Sequence, residues 1–210
     1  MKVPDTPPAS FTTESSHLRR YEGPLWRIYR TTGPHALSWD ELRHHGPVPG
    51  MRFDPHPPPR GDHPDVGVLY TSSDPTTAFA EVYQQRRIID RSQGSPMLVG
   101  WRPSRVLTLL DLTSNWPVLN GAAASIQRGP KRATQAWARA VRDRYFDDID
   151  GVWHLSSITG SPLVTLFDRA ARVPSFPRRT RVHIGLDDVT ADAIIAFAAT
   201  QLGYGVLGPS

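Results

Sequence analysis

The chain has no cysteine among its 210 residues. This absence excludes disulfide bonds, thiolate metal sites and a cysteine nucleophile, and it is typical of proteins of the reducing cytosol. The chain also lacks an apolar run close to the roughly 18–20 residues that span a bilayer, and its N-terminus has no apolar stretch of the kind found in secretory signals. We therefore expect a cytoplasmic protein without a membrane partner.

Motifs for nucleic-acid and metal recognition are missing too. The net charge of +4 and the pI of about 9.8 are modestly basic, but no zinc-finger spacing, aromatic RNA-binding pattern or helix-turn-helix signal accompanies the basic residues. Anionic small molecules such as phosphates are the other partners that this charge favours. Among the eight histidines only His44 and His45 form a close pair, without a further ligand at metal-binding spacing, so we expect no metal.

The composition that remains is that of one globular domain. Hydrophobic residues make up 39% of the chain and charged residues 21%, which suffices for one core at this length. Residues 1–20 are rich in Pro, Ser and Thr without periodicity, so we expect a mobile arm before a single domain over residues 21–210. Strands outnumber helices in mixed order, which favours an α+β fold. Strands are predicted over 25–30, 51–53, 97–101, 106–112, 151–155, 163–167 and 182–186, and helices over 130–145 and 191–202.

Glu81 occupies an unusual position in a further predicted helix. Asp74 offers an N-cap oxygen and Pro75 suits the first helical turn after the apolar stretch that begins at Val68. Glu81 then lies about two turns into the helix, close to its apolar face, where a carboxylate needs a partner or a function. The residues predicted to face the core are Ala78, Phe79, Val82 and Tyr83.

Glu81 and four other residues lie where predicted strands end or loops begin, and together they suggest nucleotide chemistry. Arg27 and Arg52 could bind phosphate oxygens bidentately. The ring of Tyr70 could stack on a flat heterocycle. The Glu81 carboxylate could bind ribose hydroxyls and stabilise positive charge at an anomeric carbon, while the Ser156 hydroxyl orients an amide or an acceptor. This combination fits a nucleotide that is cleaved at its N-glycosidic bond.

Each of these residues also has a structural interpretation, and spacing alone does not decide between the two. Arg27 fits the solvent-facing side of an alternating strand, and Arg52 could pair with Asp54 or Asp62. Tyr70 fits a half-buried strand position, and Ser156 fits a turn. Glu81 could pair with Gln85 or with an arginine on the helix surface.

The segments, in their order, resemble the RES-domain family, which is named for its Arg, Glu and Ser residues and known as the toxin half of RES–Xre toxin–antitoxin pairs. Its pattern runs from a strand through a glycine-led Arg-Phe-Asp segment and a Leu-Tyr strand with a following Ala-x-x-Glu helix to Asp-Gly-φ-φ-x-x-Ser. The matching segments are Leu25-Trp26-Arg27-Ile28-Tyr29, Gly50-Met51-Arg52-Phe53-Asp54, Leu69-Tyr70 with Ala78-Phe79-Ala80-Glu81, and Asp150-Gly151-Val152-Trp153-His154-Leu155-Ser156. The resemblance covers residues 24 to about 170.

The resemblance implies an ADP-ribosyltransferase-like fold, a mixed β core with flanking helices, and NAD⁺ as the substrate, without a bound cofactor. RES toxins degrade NAD⁺ by hydrolysis or by phosphorolysis with inorganic phosphate as co-substrate. Arg27 and Arg52 would then hold the pyrophosphate or the acceptor phosphate, and Tyr70, with Tyr29 as a further substrate-binding candidate, would contact the nicotinamide end. Glu81 would stabilise the oxocarbenium-like transition state, and Ser156 would position the nicotinamide. An Xre-type antitoxin is the implied protein partner, and nucleic acid would bind only through it.

The chain departs from the family pattern at three points that bear on function. Met51 stands where a second glycine is common, and the stretch over residues 54–65 is long and rich in proline. After Ser156 the chain has Ser157 and Ile158 where an apolar residue and an arginine are common. This difference leaves Ser156 and Ser157 both open as the functional hydroxyl, and it favours hydrolysis or another acceptor over phosphorolysis. Two other functions remain as alternatives: an ADP-ribosyltransferase with a macromolecular acceptor, and a non-enzymatic nucleotide- or nucleic-acid-binding module built on the basic helix 130–145.

Overall fold

The computed structural model describes residues 3–208, so the two outermost residues of the predicted arm and of the predicted domain lie outside it. Twelve strands are described. In chain order they are β1 (Leu18–Tyr21), β2 (Leu25–Arg30), β3 (His45–Gly46), β4 (Gly61–Asp62), β5 (Val68–Ser72), β6 (Ile88–Asp90), β7 (Pro96–Trp101), β8 (Leu107–Asp111), β9 (Gly151–Leu155), β10 (Pro162–Phe167), β11 (Val182–Gly185) and β12 (Gly205–Leu207).

Eight of these strands form one sheet in the order β1-β8-β9-β10-β5-β2-β7-β11. Every neighbouring pair in it is antiparallel except β8 with β9, so the sheet is mixed. Two small sheets, β12 with β6 and β3 with β4, accompany it. The predicted α+β fold, one domain with a mixed sheet and flanking helices, is confirmed.

The sheet has a seam between β2 and β5. Strand β2 pairs with β7 along its whole length, whereas it pairs with β5 only at Trp26 and Ser72. At the other end of β5, the backbone of Arg43 pairs with Val68 in the place that β2 would otherwise take. The two halves of the sheet therefore part at this seam.

The helices are α1 (Pro75–Tyr83), α2 (Trp116–Leu119), α3 (Lys131–Arg144), α4 (Arg169–Arg172) and α5 (Asp192–Leu202). The two longest match the predicted ranges within one residue at each end. Gly203, which follows α5, has a φ of 63°, a left-handed conformation that glycine adopts without steric cost and that commonly ends helices.

The core lies on both faces of the large sheet, because successive side chains of a strand point to opposite faces. Helices α1, α3 and α5 cover one face, and α4 covers part of the other with irregular segments that carry Trp39 and Phe176. Two local predictions were wrong. Val82 is 45% exposed, and residues 51–53 form no strand because Phe53 has a φ of 54°, which is incompatible with an extended ladder.

The structure also corrects the predicted mobile arm. Residues 3–13, the N-terminal strap, pack across α2 and α3, and the following residues enter β1 at the edge of the large sheet. Val3 is buried, and the ring of Phe11 lies 5.0 Å from that of Trp116. The indole nitrogen of Trp137 donates to the Pro4 carbonyl at 2.9 Å. Proline-rich composition suggested disorder here, but these few large apolar contacts fix the segment in place.

Within residues 3–208, none of the helices is long and apolar enough to cross a membrane.

Candidate active site

Local chemistry at the start of α1 sets the position of Glu81. Asp74 is extended and its carboxylate accepts a hydrogen bond from the amide of Thr77 at 2.8 Å, while Pro75 occupies the first turn. An N-cap carboxylate and an early proline both favour a helix that begins here. Glu81 therefore lies about two turns into α1, next to the fully buried Ala80.

The Glu81 carboxylate contacts the hydroxyl of Ser156, which directly follows β9. The distance from Ser156 Oγ to Glu81 Oε1 is 2.6 Å across 75 positions of sequence. The same Oγ accepts hydrogen bonds from the amides of Ile158 and Thr159, each at 3.1 Å, so its one proton is directed at the carboxylate. Ser157 is exposed, and Ser156 is the serine that contacts Glu81.

Burial raises the pKa of Glu81, and the Ser156 hydroxyl and the positive charge of Arg52 offset that rise only in part. Among the hydrogen bonds of the described residues, none reaches the second carboxylate oxygen, Oε2. A desolvated carboxylate with a free oxygen gains from an incoming cation or from hydroxyl donors. Glu81 is thus suited to a ligand that brings either of these.

The loop before β4 brings Arg52 and Phe53 to the end of β9. Arg52 Nε donates to the carbonyl of Gly129 at 3.2 Å, and its charge acts on both Glu81 and His154. The rings of Phe53 and His154 lie 4.5 Å apart. Burial, with a contribution from Arg52, lowers the pKa of His154 to about 4, so His154 is neutral near pH 7 and adds no charge to the site.

A buried polar network lies behind this loop. Asp54 is fully buried and accepts hydrogen bonds from Arg43 Nη2 at 2.8 Å, from His56 Nδ1 at 2.5 Å, and from the amides of His56 and Val48. Burial raises the pKa of Asp54, but the hydrogen bonds and the charge of Arg43 outweigh it and bring the pKa to about 2. Asp54 is therefore ionised at physiological pH and anchors the Arg52 loop.

Tyr70 extends from β5 into the same region. Its ring packs against the core cluster that contains Phe53, and its hydroxyl is buried beside Arg43 without a well-directed hydrogen bond. Burial raises the pKa of Tyr70, so the hydroxyl stays protonated. A ring that is partly open to solvent with an unused hydroxyl is suited to packing against a ligand.

No three histidine, aspartate or glutamate residues between positions 3 and 208 are arranged to hold a metal ion. The fold brings Glu81 of α1, Ser156 of the turn after β9, and Arg52 of the loop before β4 close together. Tyr70 of β5 lies beside the same loop, near Arg43 and Asp54.

Glu81, Ser156, Arg52 and Tyr70 all lie in the part of the chain that matches a family model. The model of the RES domain matches residues 24–187, most of the chain. The chain belongs to the RES-domain family. The match extends past the predicted end near residue 170 and includes β11.

The fold of this RES domain is also similar to that of a chain in the crystal structure of the M. tuberculosis MbcT–MbcA toxin–antitoxin complex. The TM-score is 0.54 at 15% sequence identity, over 80% of this chain and 85% of that one. At this identity the likeness concerns the fold. No curated protein matches the chain in sequence.

Asp150 and Gly151, two residues of the family pattern, have structural roles in this domain. Asp150 is fully buried and accepts hydrogen bonds from Arg105 and Arg169. A Cβ on Gly151 would lie 2.1 Å from the carbonyl oxygen of Thr165, so only glycine permits β9 and β10 to approach this closely. The Asp-Gly pair therefore fixes the start of β9, the strand that Ser156 directly follows.

Arg27 and Tyr29 are separate from the Glu81 group. Both side chains point to the face of β2 opposite that of Ile28, which packs with α1. Arg27 Nη1 donates to the carbonyl of Trp39 at 2.8 Å, with longer contacts to two neighbouring carbonyls. Burial lowers the pKa of Arg27 to about 10. Tyr29 shares a 2.6 Å hydrogen bond with His183.

Sequence reasoning missed the buried network of Arg43, Asp54 and His56. In the sequence, Asp54 belongs to the family pattern, and its only predicted interaction is with Arg52. The signal in the sequence is an acidic residue directly after an Arg-Phe pair in a proline-rich loop. Such a loop has no regular backbone hydrogen bonds, so its buried N–H groups need a side-chain acceptor.

Proposed function

We propose that this RES domain consumes NAD⁺ by breaking the bond between nicotinamide and ribose, and that it is the toxin of a toxin–antitoxin pair. The contact of Ser156 Oγ with Glu81 Oε1 at 2.6 Å, which leaves Oε2 free, carries the first part. Family membership and the fold shared with a chain of a toxin–antitoxin complex support the second part.

Glu81 acts at the ribose. When the glycosidic bond breaks, its electron pair moves to the nicotinamide nitrogen and positive charge develops on the ribose. A carboxylate in a low-dielectric site stabilises such charge and can also accept a hydrogen bond from a ribose hydroxyl. Ser156 holds Oε1 in place, so that Oε2 is the oxygen presented to the substrate.

The other candidates bind the remaining parts of the dinucleotide. Arg52, held at Gly129 through Nε, offers its remaining N–H groups to the pyrophosphate or to an acceptor phosphate. Tyr70 packs against the nicotinamide or its ribose. Arg27 and Tyr29, by contrast, lie on the opposite face of β2, away from Glu81, and only the family resemblance supports a binding role for them. The hydrogen bonds of Arg27 to described residues use Nη1 alone, which leaves Nε and Nη2 for an anion on that face.

Water is the acceptor that this chain favours. Its oxygen bonds to the anomeric carbon and releases a proton to solvent, which yields ADP-ribose. Phosphorolysis would need a cationic site for inorganic phosphate, and the positions after Ser156 carry Ser157 and Ile158 instead of an arginine. Phosphate is thus expected to be the minor acceptor.

The test is to incubate the purified protein with NAD⁺, with and without inorganic phosphate, and to identify the products by mass spectrometry. Free nicotinamide with ADP-ribose is expected, with little ADP-ribose 1″-phosphate. Nicotinamide release that requires a protein acceptor would identify a transferase instead. Intact NAD⁺ in every mixture would leave a binding module as the remaining function.

The toxin role is tested in cells. Induced expression is expected to lower cellular NAD⁺ and to stop growth, and co-expression of a cognate antitoxin, expected to carry an Xre-like helical part, is expected to restore both. Growth arrest with normal NAD⁺ would contradict the proposed link between the two.

A further inference from the structure

The N-terminal strap, residues 3–13, lies outside the part of the chain that matches the RES family, yet it contacts the residue that holds Arg52. A Cβ placed on Gly129 would lie 3.0 Å from Val3 Cγ2 and 3.3 Å from Val3 Cβ, so Val3 packs directly against Gly129. The carbonyl of Gly129 in turn accepts the hydrogen bond from Arg52 Nε at 3.2 Å. Gly129 thus contacts both Val3 of the strap and the side chain of Arg52.

Helix α3, which begins two residues after Gly129, also holds the Arg52 loop. Gln135 Nε2 donates to the carbonyls of Val48 at 2.9 Å and Met51 at 2.8 Å, and Arg139 donates to the carbonyl of His56 at 3.1 Å. The backbone on both sides of Arg52 therefore rests on α3. Any shift of the start of α3 moves the loop with it, because packed elements transmit small displacements.

The strap is well anchored away from Gly129. The Trp137 indole donates to the Pro4 carbonyl at 2.9 Å, and the Trp116 indole donates to the Thr13 hydroxyl at 2.7 Å. The ring of Phe11 packs against both of these tryptophans, and its centroid lies 5.0 Å from that of Trp116 and 5.8 Å from that of Trp137. Most of the strap thus stabilises the fold, while Val3 packs against Gly129, the residue that holds Arg52.

We propose that Val3 is a positioning residue for Arg52: by packing against Gly129 it fixes the carbonyl that orients the guanidinium. Its consequence for catalysis rests on the proposed function, in which Arg52 binds an anionic part of the substrate. The contact and its effect on the Arg52 side chain do not depend on that function.

The experiment compares Val3→Ala with Phe11→Ala, which weakens the strap at a point away from Gly129. Three quantities are measured for each: stability to urea, kcat and KM for NAD⁺, and the solvent exchange rate of the Arg52 Nε–H proton by ¹⁵N NMR. The resonance is assigned by its loss in Arg52→Lys. The double variant Val3→Ala with Gly129→Ala provides a partial rescue, because the new methyl group enters the space that the valine methyls leave. It also lies 3.0 Å from the Ile126 carbonyl oxygen, so the recovery is expected to be incomplete.

For Val3→Ala we expect faster Nε–H exchange and a fall in kcat/KM of about tenfold, since small misplacements of a binding group are costly in catalysis. Phe11→Ala should lose at least as much stability while it changes exchange and kcat/KM less. The double variant should recover part of both.

Two results would overturn the proposal: unchanged Nε–H exchange in Val3→Ala, or changes in Phe11→Ala that match those of Val3→Ala at equal loss of stability. If the unmodified protein does not consume NAD⁺, the proposed function fails, and the exchange rates alone still decide whether Val3 positions Arg52.

Discussion

Two carboxylates flank the candidate active site, the buried Asp54 and the half-buried Glu81, and the fold treats their charges differently. Asp54 accepts four hydrogen bonds, and its pKa falls to about 2 although burial acts to raise it. Glu81 accepts one, from Ser156, and burial leaves its pKa raised. The negative charge of Asp54 is used inside the protein, whereas that of Glu81 remains available to a ligand. Such a difference separates an anchoring residue from a candidate catalytic one.

The largest effect is expected from Glu81→Gln. Glutamine keeps the shape and can still accept the Ser156 hydrogen bond, but it lacks the charge that stabilises the ribose cation. NAD⁺ consumption should fall by about 10³-fold, as when other electrostatic groups are removed from active sites. Nicotinamide release measured by chromatography checks this. Activity within about threefold of the unmodified protein would make Glu81 a structural residue like Asp54.

Asp54→Asn should act on stability. A folded pKa of about 2 against an ordinary value of 3.8 corresponds to about 2 kcal/mol of stability at neutral pH. Because the folded pKa is lowered, this contribution is complete above about pH 4 and is lost as the pH falls through about 2.

Urea unfolding at pH 7 should therefore show a loss of about 2 kcal/mol for Asp54→Asn, and the loss should shrink toward pH 2. Asp62→Asn is the matched control, because the Asp62 side chain is 87% exposed and exposed ion pairs contribute little. If Asp54→Asn and Asp62→Asn lose the same free energy of unfolding, Asp54 stabilises the fold no more than an exposed carboxylate does. The contrast between Asp54 and Glu81 would then fail.

Ser156→Ala should lower kcat/KM for NAD⁺ by about tenfold, the order expected when a carboxylate loses one hydrogen bond. The neighbouring Ser157→Ala variant should stay near the activity of the unmodified protein, because Ser157 is exposed. Steady-state kinetics of the two variants decide which hydroxyl matters. A larger loss in Ser157→Ala would reassign the role.

The smallest expected effect is a gain in stability for Glu81→Gln. A carboxyl whose folded pKa is raised stabilises the fold when protonated, at low pH, and this contribution is lost as the pH rises through the folded pKa. Replacing it by neutral glutamine should raise Tm at pH 7, and the gain should vanish below about pH 4. Thermal unfolding at both pH values measures it, and a lower Tm at pH 7 would show that the Glu81 charge is well satisfied.

Sequence reasoning predicted the parts of the site that depend on local rules. The cap at Asp74 and the apolar spacing after it predict Glu81 close to the apolar face of its helix, and the family pattern leaves Ser156 and Ser157 both open as the functional hydroxyl. The structure shows that Ser156 contacts Glu81. The α+β class followed from the mixed order of strands and helices.

What the sequence did not reveal depends on contacts between distant segments. The strap contains only two large apolar residues at Val3 and Phe11, and its packing follows from Trp116 and Trp137, more than 100 positions away. The alternating pattern over residues 25–30 predicts that Arg27 and Ile28 face opposite sides of the sheet, but it does not predict what covers each side. The partners of Asp54 come from two irregular segments, which no periodicity describes.

The large sheet is held together most weakly at the seam between β2 and β5. One residue pair, Trp26 with Ser72, joins the two halves of the large sheet there, whereas other strands are held by ladders of several pairs. Local opening costs least where few backbone bonds must break. We therefore expect the largest thermal motion of this domain to be a rotation of one half of the sheet against the other about the seam. Tyr70 and Arg27 lie in different halves.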